Sequence, residues 1–302
     1  MEMNPRWRPI RSLVIYFAVV FLGGALLAPR LYWLTQWAAG HWAALSGLAA
    51  KPFHRFLDRS LLGLALLCLW PLLRGGGARS WQDLGFVRQP RVAWQILRGF
   101  ALGWASLAAV ALLALVCGAR ALTPAHSAAE IIRHLLETTW AAVVVAILEE
   151  LVFRGALFGL LRQSMPWLAA AAISSVVYSA VHFIQKAETD LPVQWNSGLA
   201  LLWQMLSHPP PLIPAFLTLF VAGSILALKY QRTGALYFSI GLHAGWIFWL
   251  KSYRFLTHAT GAAKSFWGTD NLIDGWLSFL VLAIIFGLVA RQKSNANPEI
   301  LT

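Results

Sequence analysis

Charge is what this chain has least of. Only 12% of its 302 residues are Asp, Glu, Lys or Arg, about half the ~25% usual in globular domains. A soluble core of this composition would leave too much apolar surface in water. Cysteine is nearly absent, with Cys68 and Cys117 each standing inside an apolar stretch. Two isolated thiols exclude a disulfide framework and cannot form a CxxC metal site. Acidic residues number 12 against 24 Lys and Arg, a formal net charge of +12. That excess is not gathered on one face or tail. It lies in short segments between apolar runs, where membrane topology and anionic headgroups select for it. No nucleic-acid recognition module accompanies it, so the charge does not point to nucleic acid.

What the chain has in quantity is apolar sequence, at 59% of residues. It comes in repeated stretches of transmembrane length, which implies an all-α polytopic helix bundle in a lipid bilayer. Eight spans are expected, near 12–29, 58–73, 99–118, 138–161, 166–184, 211–228, 234–250 and 275–290. The first follows Arg6, Arg8 and Arg11 but lacks a small-x-small cleavage site, so it reads as an anchor rather than a signal peptide. Lys and Arg placement puts both termini in the cytoplasm of a multi-pass protein of the cell (inner) membrane. Residues 31–50 carry Gln36, His41 and Ser46; a span there would reverse that parity.

Three regions are expected: 1–136 with a basic cytoplasmic loop at 74–98, a core at 137–250, and 251–302 with the last span. Trp33, Trp140, Trp167, Trp249 and Trp276 flank the spans, as interfacial indoles do. The long connection Lys186–Pro210 places Trp195, Leu199, Leu202 and Leu206 at helical spacing before Pro209-Pro210-Pro211. It reads as a surface-lying connector or a lid.

The chemistry concentrates in the fourth span, where Glu149 and Glu150 interrupt an apolar run. An ionisable group at mid-membrane costs ~2.5–3.5 kcal/mol on insertion scales, so it normally faces a bundle interior. Arg154 stands four residues after Glu150, in ion-pair spacing and the favourable order; Phe153 is four after Glu149. Glu150 is therefore expected to pair with Arg154, and Glu149 to face a polar cavity as a general base. Tyr178 and His182 share a face of the next span at i and i+4, and His243 lies within the seventh. Glu149, His182 and His243 can converge from three helices. The structural alternative is helix–helix hydrogen bonding alone.

Three motifs in order resemble those of the CAAX-protease and bacteriocin-processing (CPBP/Abi, type II CAAX prenyl endopeptidase-like) intramembrane proteases. Glu149-Glu150-Leu-Val-Phe-Arg154 is similar to its EExxxR motif, Tyr178 to His182 to FxxxH, and the segment around His243 to HxxxN. Trp81 to Gly85 resembles a W-x-D-L-G element ahead of the family's core. The resemblance implies that Glu149 is the general base and that His182 binds or activates water. His243 would donate to the oxyanion, with Glu150, Arg154 and Tyr178 in support. It implies hydrolysis of a membrane-associated peptide or protein tail without a covalent intermediate. Two positions depart from the pattern: Tyr178 replaces Phe, and Ile247 stands where the family commonly has Asn. Tyr178 and Ser175 are candidates to supply the missing donor.

No cofactor is expected, since no HExxH pair occurs. One Glu and two His do match a catalytic zinc set, with Glu149, His182 and His243 as its ligands. The alternative function is a non-proteolytic immunity or scaffold protein that retains the fold. A proton-coupled transporter would need paired broken helices and repeats, which the sequence lacks.

Overall fold

The computed structural model describes residues 7–123, 126–183, 192–207 and 213–292. The chain is almost wholly helical, as the apolar runs require. A helix overlaps each expected span: α1 (Arg8–His41), α2 (Phe53–Gly75), α3 (Val92–Val116), α4 (Ala128–Glu150), α5 (Trp167–His182), α7 (Ile213–Thr233), α8 (Tyr237–Leu256) and α9 (Trp276–Arg291). Four of these, α1, α2, α3 and α7, are long and apolar enough by themselves to cross a membrane. The helix α6 (Ser197–Ser207) occupies the middle of the long connection. Lys186–Leu191, His208 and Pro209-Pro210-Pro211 lie outside the described residues.

Residues 31–41 simply prolong α1, and 42–50 form two short helical turns. No additional helix of spanning length occupies 31–50. Helix α4 begins ten residues before the expected span. Ser127 and Glu130 form a reciprocal capping box there: Ser127 Oγ accepts from the Glu130 N–H, and Glu130 accepts from the Ser127 N–H at 2.8 Å. Those bonds hold the Glu130 carboxyl below its usual range, the Ser127 backbone N–H contributing most.

Packing divides the chain into two compact units, Met1–Ala78 with His182–Pro211, and Arg79–Val181 with Leu212–Thr302. In the first unit, Ala25, Ala28, Phe56 and Leu57 form a core with Leu201 and Leu202 of α6. The backbone of α6 approaches α1 so closely that a Cβ on Gly198 would stand 1.9 Å from the Ala25 carbonyl oxygen.

In the second unit, α3, α7, α8 and α9 enclose Leu107, Ile225, Leu226, Leu242 and Leu282. Helices α3 and α8 meet through two facing Gly-x-x-x-Gly runs, Gly99/Gly103 and Gly241/Gly245. A Cβ on Gly103 would sit 2.2 Å from the Leu242 oxygen, and one on Gly241 would sit 2.0 Å from the Ile96 oxygen. Small residues at this spacing let apolar helices touch backbone to backbone. Trp249 and Trp167 pack against this core, whereas Trp33, Trp140 and Trp276 are exposed.

Because the colliding atoms are backbone, Gly103→Leu cannot be absorbed by a rotamer change. It is expected to destabilise the second unit by more than the ~1–3 kcal/mol typical of overpacking. Thermal melting in detergent checks this, and a wild-type melting temperature would refute the role given to the glycine contact.

Two short strands, β1 (Arg120–Leu122) and β2 (Thr257–Ala259), pair antiparallel with Ala121 opposite His258. They are held by Arg120, which is buried and donates to the Thr257 carbonyl at 2.8 Å and to Asp270 at 3.0 Å. Its guanidinium also lies 4.5 Å from the Tyr253 ring centroid. This second buried arginine had no signature in the sequence, because its partners are distant in the chain.

Candidate active site

The two glutamates close α4, and the next residues, Leu151–Phe158, continue as a π-helical segment. Such local widenings of a helix often accompany functional sites. Arg154 lies within it, and its Nη1 donates to Glu150 Oε1 at 3.0 Å. Both side chains are essentially inaccessible, at 1% and 0% exposure. Arg154 Nη2 reaches the Gly223 carbonyl of α7 at 3.3 Å, and the guanidinium carbon lies 4.6 Å from the Tyr178 ring centroid. The ring is further fixed edge-on to Phe153 at 5.1 Å.

The Arg154 segment rests on the Trp81-Gln-Asp-Leu-Gly85 element. Asp83 accepts from the backbone N–H groups of Arg79 and Ser80 at 2.8 and 2.9 Å, which pulls its carboxyl below the usual range. The resulting short turn drives Leu84 into the interior, at 1% exposure. Gly85 reverses the chain with φ +95°, and its carbonyl accepts from the Leu236 N–H just before α8. A Cβ on Gly155 would contact the Leu84 oxygen at 3.2 Å. This loop thus sets the height of the helix that carries Arg154.

His243, 3% exposed, projects from α8 toward the end of α4. Its Nδ1 lies 2.9 Å from Glu150 Oε1, and its Nε2 lies 3.7 Å from Glu149 Oε2 and 3.2 Å from the Tyr178 hydroxyl. The two carboxylates therefore meet the same imidazole, one at each nitrogen. Adjacent residues stand ~100° apart around a helix, and the width of the ring bridges that separation. Glu150 is engaged on both sides, whereas Glu149 keeps 26% of its side chain accessible.

The structure thus brings Glu149, Glu150, Arg154, Tyr178 and His243 together. His182 is the last residue of α5, one turn beyond Tyr178, with an exposed side chain. Ser175 is buried on the seam with α7, where it accepts from Ser224 at 3.3 Å. Ile247 is half-buried one turn after His243 on α8. Among the described residues, no three His, Cys, Asp or Glu side chains are grouped as a metal ion would need.

This cluster spans the three motifs in chain order, and the family comparison covers the same stretch. Residues 131–249 match the model of the family described as type II CAAX prenyl endopeptidase Rce1-like. The likeness to the Rce1-like family is confined to these residues. No curated protein and no solved structure matches the chain. The matched stretch runs from the first turns of α4 to Trp249 of α8, so every residue of the cluster lies inside it. The match supports a function of the membrane-endopeptidase kind. Apolar helices of spanning length agree with a membrane-embedded chain.

Sequence reasoning missed two parts of this domain's frame. The glycines that seat α8 against α3 were readable as small residues four apart in apolar runs. The bond from His243 to Glu150 was not, because it joins residues that are 93 positions apart.

Proposed function

We propose that the chain hydrolyses peptide bonds of a membrane-associated peptide or protein tail, using a water activated by Glu149. The observation that carries this reading is the division of labour between the paired carboxylates. Glu150 is tied to Arg154 and His243, while Glu149 is partly accessible and faces Nε2 of the same histidine.

In the proposed reaction the water oxygen bonds to the substrate carbonyl carbon and the π pair moves onto the carbonyl oxygen. Glu149 takes the water's proton and later gives it to the departing amine as the C–N bond breaks. His182 binds or activates the water. His243 donates from Nε2 to the oxyanion when it carries both ring protons, and Glu150, accepting from Nδ1, balances the charge. No covalent intermediate forms. A prenylated C-terminal tail, as in the name of the matched family, is one substrate of this class.

In the proposed chemistry Glu149, rather than a zinc ion held by Glu149, His182 and His243, activates the water. The test uses the full chain in detergent micelles with fluorogenic peptides, unmodified and carrying a farnesylated cysteine near the C-terminus. Cleavage is expected to survive incubation with a zinc chelator. Loss of activity that added Zn²⁺ restores would overturn the metal-free mechanism. Ile247 favours one other reading, a non-proteolytic scaffold that binds such a peptide without cutting it; that reading predicts binding with no cleavage by the wild type.

A further inference from the structure

The Tyr178 hydroxyl lies beside the His243 nitrogen that faces Glu149. It lies 3.2 Å from Nε2, on the same nitrogen that Glu149 Oε2 approaches at 3.7 Å. The ring is held by Phe153 edge-on and by the Arg154 guanidinium over its face, and it is almost fully buried at 2% exposure. Its position is therefore fixed, and rotation about the C–O bond alone re-aims the hydroxyl proton. A phenol can accept one hydrogen bond and donate another at once. One turn along α8 from His243, the side chain that shares its helix face is Ile247, which can donate nothing.

We infer that Tyr178 is a catalytic residue whose hydroxyl is the second donor to the oxyanion, replacing a donor that α8 does not provide. The inference rests on the proteolytic reading above and deepens it. In the resting site the phenol oxygen meets Nε2. As the carbonyl π pair moves onto oxygen, the O–H turns and donates to the new negative charge. It keeps its proton throughout, so the balance of the hydrolysis is unchanged: one proton goes from water to Glu149 and then to the amine. A donor fixed by packing needs no reorganisation when the charge appears, and this is where oxyanion sites derive their effect.

The position also explains why a tyrosine is tolerable there. A buried hydroxyl without a partner is costly, and His243 supplies one in the absence of substrate. Phe at this position would keep the contacts to Phe153 and Arg154 and delete only the donor.

The experiment compares wild type, Tyr178→Phe, Ile247→Asn and the double variant on the fluorogenic peptide panel, with Glu149→Gln as reference. Tyr178→Phe is expected to lower kcat by about 10²-fold, the usual loss of one oxyanion donor, with KM unchanged and melting temperature retained. Ile247→Asn, harmless or mildly activating alone, should restore at least about tenfold of that loss in the double variant, since an amide on α8 can donate to the same oxygen. A tyrosine that merely propped up His243 would not be rescued from α8. A Tyr178→Phe enzyme with wild-type kcat, or a double variant no better than Tyr178→Phe, overturns the assignment while leaving proteolysis intact. If instead Glu149→Gln cleaves as fast as wild type, or wild type cleaves nothing in the panel, the proteolytic reading fails and this inference falls with it.

Discussion

Glu149→Gln is expected to lower peptide cleavage by ~10²–10⁴-fold, the range spanned by positioned general bases, without unfolding the protein. The amide is nearly isosteric with the carboxylate and keeps a hydrogen-bonding group beside His243, but it cannot take a proton from water. Stability should change by no more than about 1 kcal/mol, the usual effect of a single substitution. Glu149 takes no part in the Arg154 pair and retains 26% side-chain exposure, so no buried cation is left uncompensated. Initial rates and thermal melts on the same preparation separate the two effects. A Glu149→Gln protein with wild-type turnover would remove Glu149 from the chemistry.

The largest effect on stability is expected from Arg154→Met. The substitution preserves much of the side chain's length and apolar stem but removes the charge that faces Glu150. Glu150 is completely buried, and removing one partner of a buried ion pair typically costs ~3–5 kcal/mol because the other charge is stranded. Two further contacts go with it, the hydrogen bond to the Gly223 carbonyl and the cation over the Tyr178 ring. The pair itself need not stabilise the fold relative to an apolar replacement. Glu150→Gln combined with Arg154→Met should therefore recover much of the lost stability, a coupling that a double-mutant cycle reads directly. Activity should not recover, because Glu150 also holds His243 through Nδ1. If Arg154→Met melts like wild type, the buried pair is not what fixes the end of α4.

These two predictions stand on features of different visibility. The ion pair was legible in the sequence: charges four apart, within one apolar run, leave few other partners. It survives even though the helix changes from α to π winding between its members, because the arginine side chain is long enough to absorb the change. The orientation of His243 was not legible. Nothing local decides which ring nitrogen meets which carboxylate, and the answer came from how deeply α8 sits against α3. The facing glycines Gly99, Gly103, Gly241 and Gly245 set that depth. The Trp81–Gly85 element shows the same limit. Its residues resembled an element ahead of the family's core, but only packing showed Leu84 wedged against the segment that carries Arg154.

Taken by itself, the sequence determined that this chain is an all-helical membrane protein, because scarce charge and long apolar runs leave backbone groups no solution in lipid except helices. It also determined which side chains had to face inward, since Glu149, Glu150, Arg154 and His243 are too costly to expose to hydrocarbon. Tertiary structure decided what those side chains do to one another. Contacts between α4, α5 and α8 divided two adjacent glutamates between the two nitrogens of one histidine and set the Tyr178 hydroxyl beside them. Spacing along a helix prescribes which residues share a face, but the distance across to the next helix depends on the small residues where the two backbones meet.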